Sequence, residues 1–414
     1  MGAVAGLVCV SFRIALEKLE HWRSAWIHAH ADWKLAGLAV VVGVCALTCG
    51  LAGWLVRRFA PQASGSGIPH VEAVLREELP PAKPSLIPVK FFGGLFSIGS
   101  GLALGREGPS VQLGASVAQL VASTFKCNWA DCRTLMAAGA GAGLATAFNA
   151  PIAGAVFVLE ELVRRFELRI AVATFGASAV AVTIAREFIG TAPDLRMESL
   201  PHPPIAWLPC FLLLGVMAGL LGVAYNRLIL WSLSFTWLKQ PLPLEFHAAL
   251  LGALVGGLAW FYPGLVGGGE ILTQTVLSGK FAGATLVLIF LVRFVLGPLS
   301  YASRVPGGLF APMLVLGAQS GFFFGGVCLM ILPGAEVSPL SFAVVGMAAF
   351  FSAVVRAPIT GIVLITELTG NYNLLLPMLA ACFAALLVPT LCGNPPIYDS
   401  LRPQPELPKK PEND

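Results

Sequence analysis

The sequence predicts an all-α integral membrane protein made of two related halves, with many tilted or broken helices. Three observations carry that prediction. The chain of 414 residues is 57% hydrophobic and only 12% charged, against about 25% charged in soluble domains, and its mean hydropathy is +0.80. It holds 45 glycines, and small residues let membrane helices approach closely. Motifs of the first half also recur in order in the second. The net charge of +4 gives no case for a nucleic-acid partner. Cys9, Cys45, Cys49, Cys210, Cys328 and Cys382 lie inside apolar segments, and no CxxC or Cys/His ligand spacing occurs. Neither a disulfide framework, a metal site nor a cofactor is therefore expected.

In chain order, Ala3–Leu16 is apolar apart from Ser11 and Arg13 and lacks the basic start and cleavage site of a signal peptide. It reads as the first membrane helix, giving way to a more polar stretch over Glu17–Lys34. His28 and His30 are expected there in a solvated loop beside Asp32 and Lys34. Leu35–Val56 is long enough to cross, since a hydrocarbon core of about 30 Å needs about 20 helical residues. Val111–Phe125, Phe310–Leu316 and Pro358–Thr366 are short or broken by Gly and Pro, so they are expected to be tilted, re-entrant or buried in protein. Pro80, Pro81 and Pro84 punctuate a loop. The Pro- and charge-rich tail, 402–414, is expected to be disordered.

The halves match at similar offsets. Gly65-Ser66-Gly67 with Val74-Leu75 aligns with Gly267-Gly268-Gly269 and Val276-Leu277 at an offset of 202. Pro109 with Gly114-Ala115 aligns with Pro312 and Gly317-Ala318 at 203. Asn149–Gly154 with Glu160 aligns with Arg356–Gly361 and Glu367 at 207, and Gly6, Val10 and Phe12 more loosely with Gly219, Val223 and Tyr225 at 213. The repeats are placed at 1–200 and 205–401, divided by the loop Pro201–Pro204. Internal repeats in a membrane chain point to a transporter, with its site where broken helices of the two halves meet. Whether the halves are inverted is left open by the matches.

Three Gly-rich breaks precede prolines suited to a first helical turn: Gly65–Pro69, Gly105–Pro109 and Gly307–Pro312. Each can present backbone N–H groups and the positive end of a helix dipole, worth about half a charge. Several such ends converging make an anion site that holds its ligand loosely enough to release it. The alternative is that the glycines only pack helix ends. Within Leu86–Val121 the only charges are Lys90 and the pair Arg106-Glu107. A carboxylate or guanidinium at membrane depth costs about 2.5–3.5 kcal/mol, so Glu107 is a functional candidate.

A second acid pair, Glu160-Glu161, follows apolar Gly154–Leu159 and leads into Arg164, Arg165 and Arg169. That basic cluster marks a cytoplasmic end. One acid is expected at the surface, paired with Arg164 or Arg165 at helical spacing, and the other toward the interior. At about 100° per residue the two have different environments. Glu160 matches Glu367 in the second half and so marks a structural position. Glu161 matches Leu368 and is the functional candidate.

Together these residues resemble the CLC family of chloride channels and chloride/proton exchangers. The likeness rests on GSGIP at Gly65–Pro69, GREGP at Gly105–Pro109, GGLFAP at Gly307–Pro312 and Tyr398, with Pro88–Gly94 and Ala147–Pro151 also fitting. It spans essentially the whole chain. The resemblance implies an inverted repeat and a homodimer with an anion path in each subunit, in a bacterial-type inner membrane. It has Ser66 and Tyr398 coordinate the central chloride through their hydroxyls, with backbone N–H groups at Gly108, Leu309 and Phe310. Glu107 would be the external gate, whose carboxylate competes with chloride and carries protons. Glu161 would be the internal proton-transfer residue, and Glu72 a supporting buried acid. Chloride and protons would be the substrates.

Some features depart from the family pattern. The chain starts close to the family's second helix, and no C-terminal nucleotide-binding modules are recognised. His70 stands where an acid is common. Ser303-Arg304-Val305 replaces small residues, with Arg304 expected as a salt-bridged loop residue, the alternative being that it raises local anion concentration. The reading is a chloride/proton antiporter, with a passive chloride channel as its rival. Family channels tend to replace the internal acid, which Glu161 retains. Ser66 in place of Pro disfavours nitrate, and GSGIP with Tyr398 disfavours a fluoride exporter. An intramembrane enzyme lacks HExxH, GxSxG or any comparable motif.

Overall fold

The computed structural model describes residues 1–235, 242–279, 283–332 and 337–402; the predicted tail beyond Arg402 lies outside them. The first half contains α1 (Gly2–Ala29), α2 (Lys34–Phe59), α3 (Ile68–Leu75), α4 (Leu86–Gly99), α5 (Glu107–Thr124) and α6 (Trp129–Phe148). It ends with α7 (Pro151–Phe157), a π turn (Val158–Leu162) and α8 (Leu168–Ile189). The second half repeats the order as α9 (Leu208–Ser234), α10 (Leu244–Phe261), α11 (Glu270–Leu277), α12 (Gly283–Ala302) and α13 (Phe310–Ile331). It closes with α14 (Pro339–Val355), α15 (Pro358–Thr369), α16 (Leu375–Leu391) and a last turn, α17 (Ile397–Ser400). Seven helices among the described residues are long and apolar enough to cross a membrane.

The repeat read from the motifs is a repeat of helices. α3 and α11 each have eight residues, and each follows a pair of glycines at positive φ, Gly65 and Gly67 in one half and Gly267 and Gly269 in the other. α5 packs on α6 as α13 packs on α14, and α1 meets α8 as α9 meets α16. A Cβ on Gly139 would strike the Gly114 carbonyl, and one on Gly346 the equivalent Gly317 carbonyl. Glycine therefore sets how closely these helices approach.

The halves are inverted. Glu160, in the π turn after α7, accepts the Ile359 and Thr360 N–H groups at the start of α15 at 3.0 and 2.6 Å. Glu367, near the end of α15, accepts the Ile152 and Ala153 N–H groups at the start of α7 at 3.2 and 2.7 Å. Each carboxylate satisfies orphan amides at the other helix's N-terminus, so these equivalent helices run antiparallel. Gly105 and Gly308, equivalent residues, likewise meet head to tail, exchanging two antiparallel backbone hydrogen bonds of 2.8 and 2.6 Å.

Two expectations need correcting. The loop expected at His28 and His30 is mostly helix: α1 runs through the polar stretch to Ala29, where Glu17, Glu20 and Arg23 line a cavity around Arg106. His28 lies within α1, and His30 caps its end, stacked on Trp26 at 4.4 Å. The apolar piece after Phe310 extends to Ile331, since Gly317, Gly321 and Gly325 face α14 and aid packing instead of breaking the helix.

Candidate ion pathway

The Gly-rich breaks bring three helix N-termini together. Glu107, at the start of α5, is fully buried. Its Oε1 accepts the Ala311 N–H at 3.0 Å, and the Phe310 N–H is also directed at it. Oε2 has no hydrogen-bond partner among the described residues. A carboxylate thus lies in the amide cradle at the start of α13, where positive dipole and unpaired N–H groups favour an anion. The resemblance gave the amides at Leu309 and Phe310 to chloride; here Glu107 sits at Phe310 and Ala311.

Ser66 and Tyr398 lie beside this cradle. Both are 0% exposed, their hydroxyls lie near each other, and neither has another hydrogen-bond partner among the described residues. Buried hydroxyls are rarely left unpaired, so the pair suits an acceptor between them such as an anion. Gly108 is forced by closeness, because a Cβ there would collide with the Ser66 hydroxyl. The Tyr398 ring leans on Phe310 with centroids 6.1 Å apart.

Several partners were not foreseen. Tyr301 places its buried hydroxyl 3.4 Å from the Ser66 N–H, which donates to it. Lys90 is fully buried and donates to the Ala63 and Gly65 carbonyls at 3.0 and 2.8 Å. Arg293, offset by 203, does the same to Leu265 and Gly267 at 3.1 and 2.7 Å. Each cation takes up carbonyls of the break before α3 or α11. The repeat offset, applied to Lys90, would have found Arg293; Tyr301 carries no comparable signal.

The acid pair divides as expected, with one correction. Glu160 is a half-buried helix cap and makes no ion pair among the described residues. Glu161 is 2% exposed, and it is this interior acid that pairs with Arg164, at 3.1 Å. The π turn, closed by Val163 N–H on the Val158 carbonyl at 2.8 Å, turns Glu161 inward while Glu160 reaches α15. Glu72 is fully buried on α3, 2.7 Å from Arg76 and 3.5 Å from Arg164.

Two cavities reach this region. One of about 420 Å³, lined by Glu17, Glu20, Arg106, Gly105 and Ala311, reaches the Glu107 cradle. The cost of burying Arg106 is offset there by Glu17 at 2.8 Å and Glu270 at 3.1 Å. Another of about 700 Å³ reaches the Ser66 turn and is lined by Ser64, Gly65, His70, Tyr301 and Arg304. Arg304 was expected in a salt bridge. It is instead exposed to this cavity and makes no ion pair among the described residues. Its backbone at φ 56 is held by the Ser64 hydroxyl on its carbonyl. His70 lies 3.4 Å from Gln112.

Comparison with known proteins gives a consistent result. The family model described as "voltage gated chloride channel" matches residues 48–390. The H(+)/Cl(-) exchange transporter ClcA of Vibrio parahaemolyticus is 39% identical over 407 residues, covering 97% of this chain and 87% of that protein. ClcA of Salmonella typhimurium is 37% identical over 419 residues, covering 97% and 86%. Among solved structures, a slow cyanobacterial Cl⁻/H⁺ antiporter superposes with a TM-score of 0.92 at 33% identity, covering 97% of this chain and 95% of that one. A CLC-type fluoride/proton antiporter, at 20% identity and TM-score 0.71 over 93% and 95%, shares the fold. The inverted repeat, the converging helix N-termini and these matches together make this chain a multi-pass membrane protein of the voltage-gated chloride channel family.

Proposed function

We propose that the chain is a chloride/proton antiporter, moving chloride one way against protons the other through a pathway in each subunit. The observation that carries this is Glu107: a titratable carboxylate occupies an amide cradle built for an anion, beside two buried hydroxyls with no other partner among the described residues. Carboxylate and chloride carry the same charge and suit the same N–H groups, so protonating the one admits the other. Glu161 supplies a second buried acid at the opposite end of the proton path, with Glu72 supporting it. Ser66 and Tyr398 ligate chloride, with the backbone at Gly108, Leu309 and Phe310.

The arginine-rich end, with Arg57, Arg58, Arg76, Arg164, Arg165 and Arg169, is the cytoplasmic one by the positive-inside rule. The cavity at Ser64 and Arg304 is then the inner anion mouth, and that at Arg106 the outer. The membrane is a bacterial inner membrane, and the assembly a homodimer, as the family likeness implies. No cofactor enters this scheme.

Liposomes loaded with chloride and diluted into low chloride test the function. Chloride efflux should drive protons inward against their gradient and alkalinise the medium. Chloride efflux with no proton movement would instead mark a passive channel.

A further inference from the structure

The charges around Glu161 extend beyond the proton pathway to the helix that carries Tyr398. Arg164 follows the π turn at φ 53, a conformation unfavourable for a side chain with a Cβ. Its Nε donates to the Glu161 carbonyl and its Nη2 to the Glu161 carboxylate, both at 3.1 Å. The same guanidinium grips Asp399 with both nitrogens, at 3.0 and 2.7 Å. Asp399 directly follows Tyr398 in α17 and accepts a further bond from Arg402 at 2.7 Å. Arg402 also reaches Glu78 at 3.2 Å and Glu72 at 3.6 Å. Arg76 completes the set on Glu72. Burial pushes the Asp399 carboxyl up, but Arg164 and Arg402 outweigh it and hold it below its ordinary range. A cavity of about 540 Å³, lined by Glu160, Glu161, Arg164, Arg165 and Arg356, opens onto this group.

We propose that Arg164 and Asp399 are positioning residues for proton transfer: Asp399 divides the Arg164 guanidinium between itself and the Glu161–Glu72 acids. That division sets how readily Glu161 takes a proton from the arginine-lined cavity. It also ties the step mechanically to α17, so displacement of Tyr398 and protonation of Glu161 are felt by one guanidinium. A two-nitrogen grip on a carboxylate is directional as well as strong, which a lysine could not reproduce.

The inference rests on the exchanger reading, and the test separates the two. Proton and chloride fluxes are measured in liposomes between pH 5 and 8, with equal pH on both sides, for wild type, Asp399→Asn, Arg164→Gln and the double variant. Asp399→Asn frees the guanidinium for Glu161 and should move the midpoint of proton flux down by about one pH unit, the order given by one nearby charge. Arg164→Gln removes the compensating charge and should move it up by a similar amount. The double variant should fall between them, and chloride flux should stay within about twofold throughout. Shifts of the same sign in both variants, or none in either, would overturn the proposal. If Arg164→Gln does not assemble, Asp399→Asn alone decides, because an unmoved or raised midpoint refutes it. Wild type that moves chloride without pumping protons refutes the exchanger reading; pumping wild type with unmoved variants refutes only the positioning role of Arg164 and Asp399.

Discussion

Replacing Glu107 by Gln removes the charge from the cradle while keeping shape and one acceptor oxygen. In the wild type, Oε1 takes the Ala311 N–H at 3.0 Å with the Phe310 N–H close by. A hydrogen bond to an ionised acceptor is worth about 1.5–3 kcal/mol and a neutral one about 0.5–1.5, and the start of α13 adds about 0.3–1 kcal/mol for a negative charge. The side chain thus loses about 1.3–2.5 kcal/mol of its hold on the cradle. At about 1.4 kcal/mol per tenfold, an incoming chloride gains roughly 8- to 60-fold against it. The amide can neither take up nor release a proton. Proton flux should fall to background, while chloride flux persists and becomes flat with pH, because the competitor no longer titrates. Paired pH-electrode and chloride-electrode recordings on one liposome preparation check both. Proton pumping at the wild-type rate by Glu107→Gln would refute the gate assignment and the competition argument with it.

Ser66→Pro removes both the hydroxyl facing Tyr398 and the N–H that bonds Tyr301. It should weaken chloride binding roughly tenfold, on about 1.5 kcal/mol for a bond to a charged partner, and raise the preference for nitrate; calorimetry with both anions on folded protein checks this. Glu161→Gln is expected to stop proton transport and leave chloride transport intact. Glu160→Gln should instead lower thermal stability, by about 1–2 kcal/mol for a lost cap, with coupling affected less, and Glu367→Gln should do the same from the other half. Coupling lost only in the Glu160 variant would reverse the assignment of the two acids. Gly108→Ala drives a methyl into the Ser66 hydroxyl and should abolish detectable chloride binding, whereas retained affinity would remove Ser66 from the site.

Much of this molecule was legible in its residues because the constraints were local or repeated. Low charge and high hydropathy require a membrane whatever the packing. Positive-φ glycines before Ile68 and Glu270 announce themselves in sequence, and the equivalence of Glu160 and Glu367 follows from a fixed offset. Glu107 stood out because an acid in an apolar stretch is costly wherever the stretch folds. Tertiary structure alone decided partnerships across long sequence separations. The antiparallel seating of α7 and α15 rests on two carboxylates capping helices about 200 residues away, and no local pattern encodes the direction of a helix relative to its distant twin. Arg304 was expected in a salt bridge, yet no acid faces it among the described residues, because the Ser64–Arg304 loop contact turns it to the cavity. Asp399 gave no signal in sequence, since its meaning lies in the distance to Arg164, 235 residues earlier. Composition and repeats determine which segments enter the membrane and which pair as equivalents. Side-chain electrostatics depends on distance in space, so only the folded chain decides which charges meet.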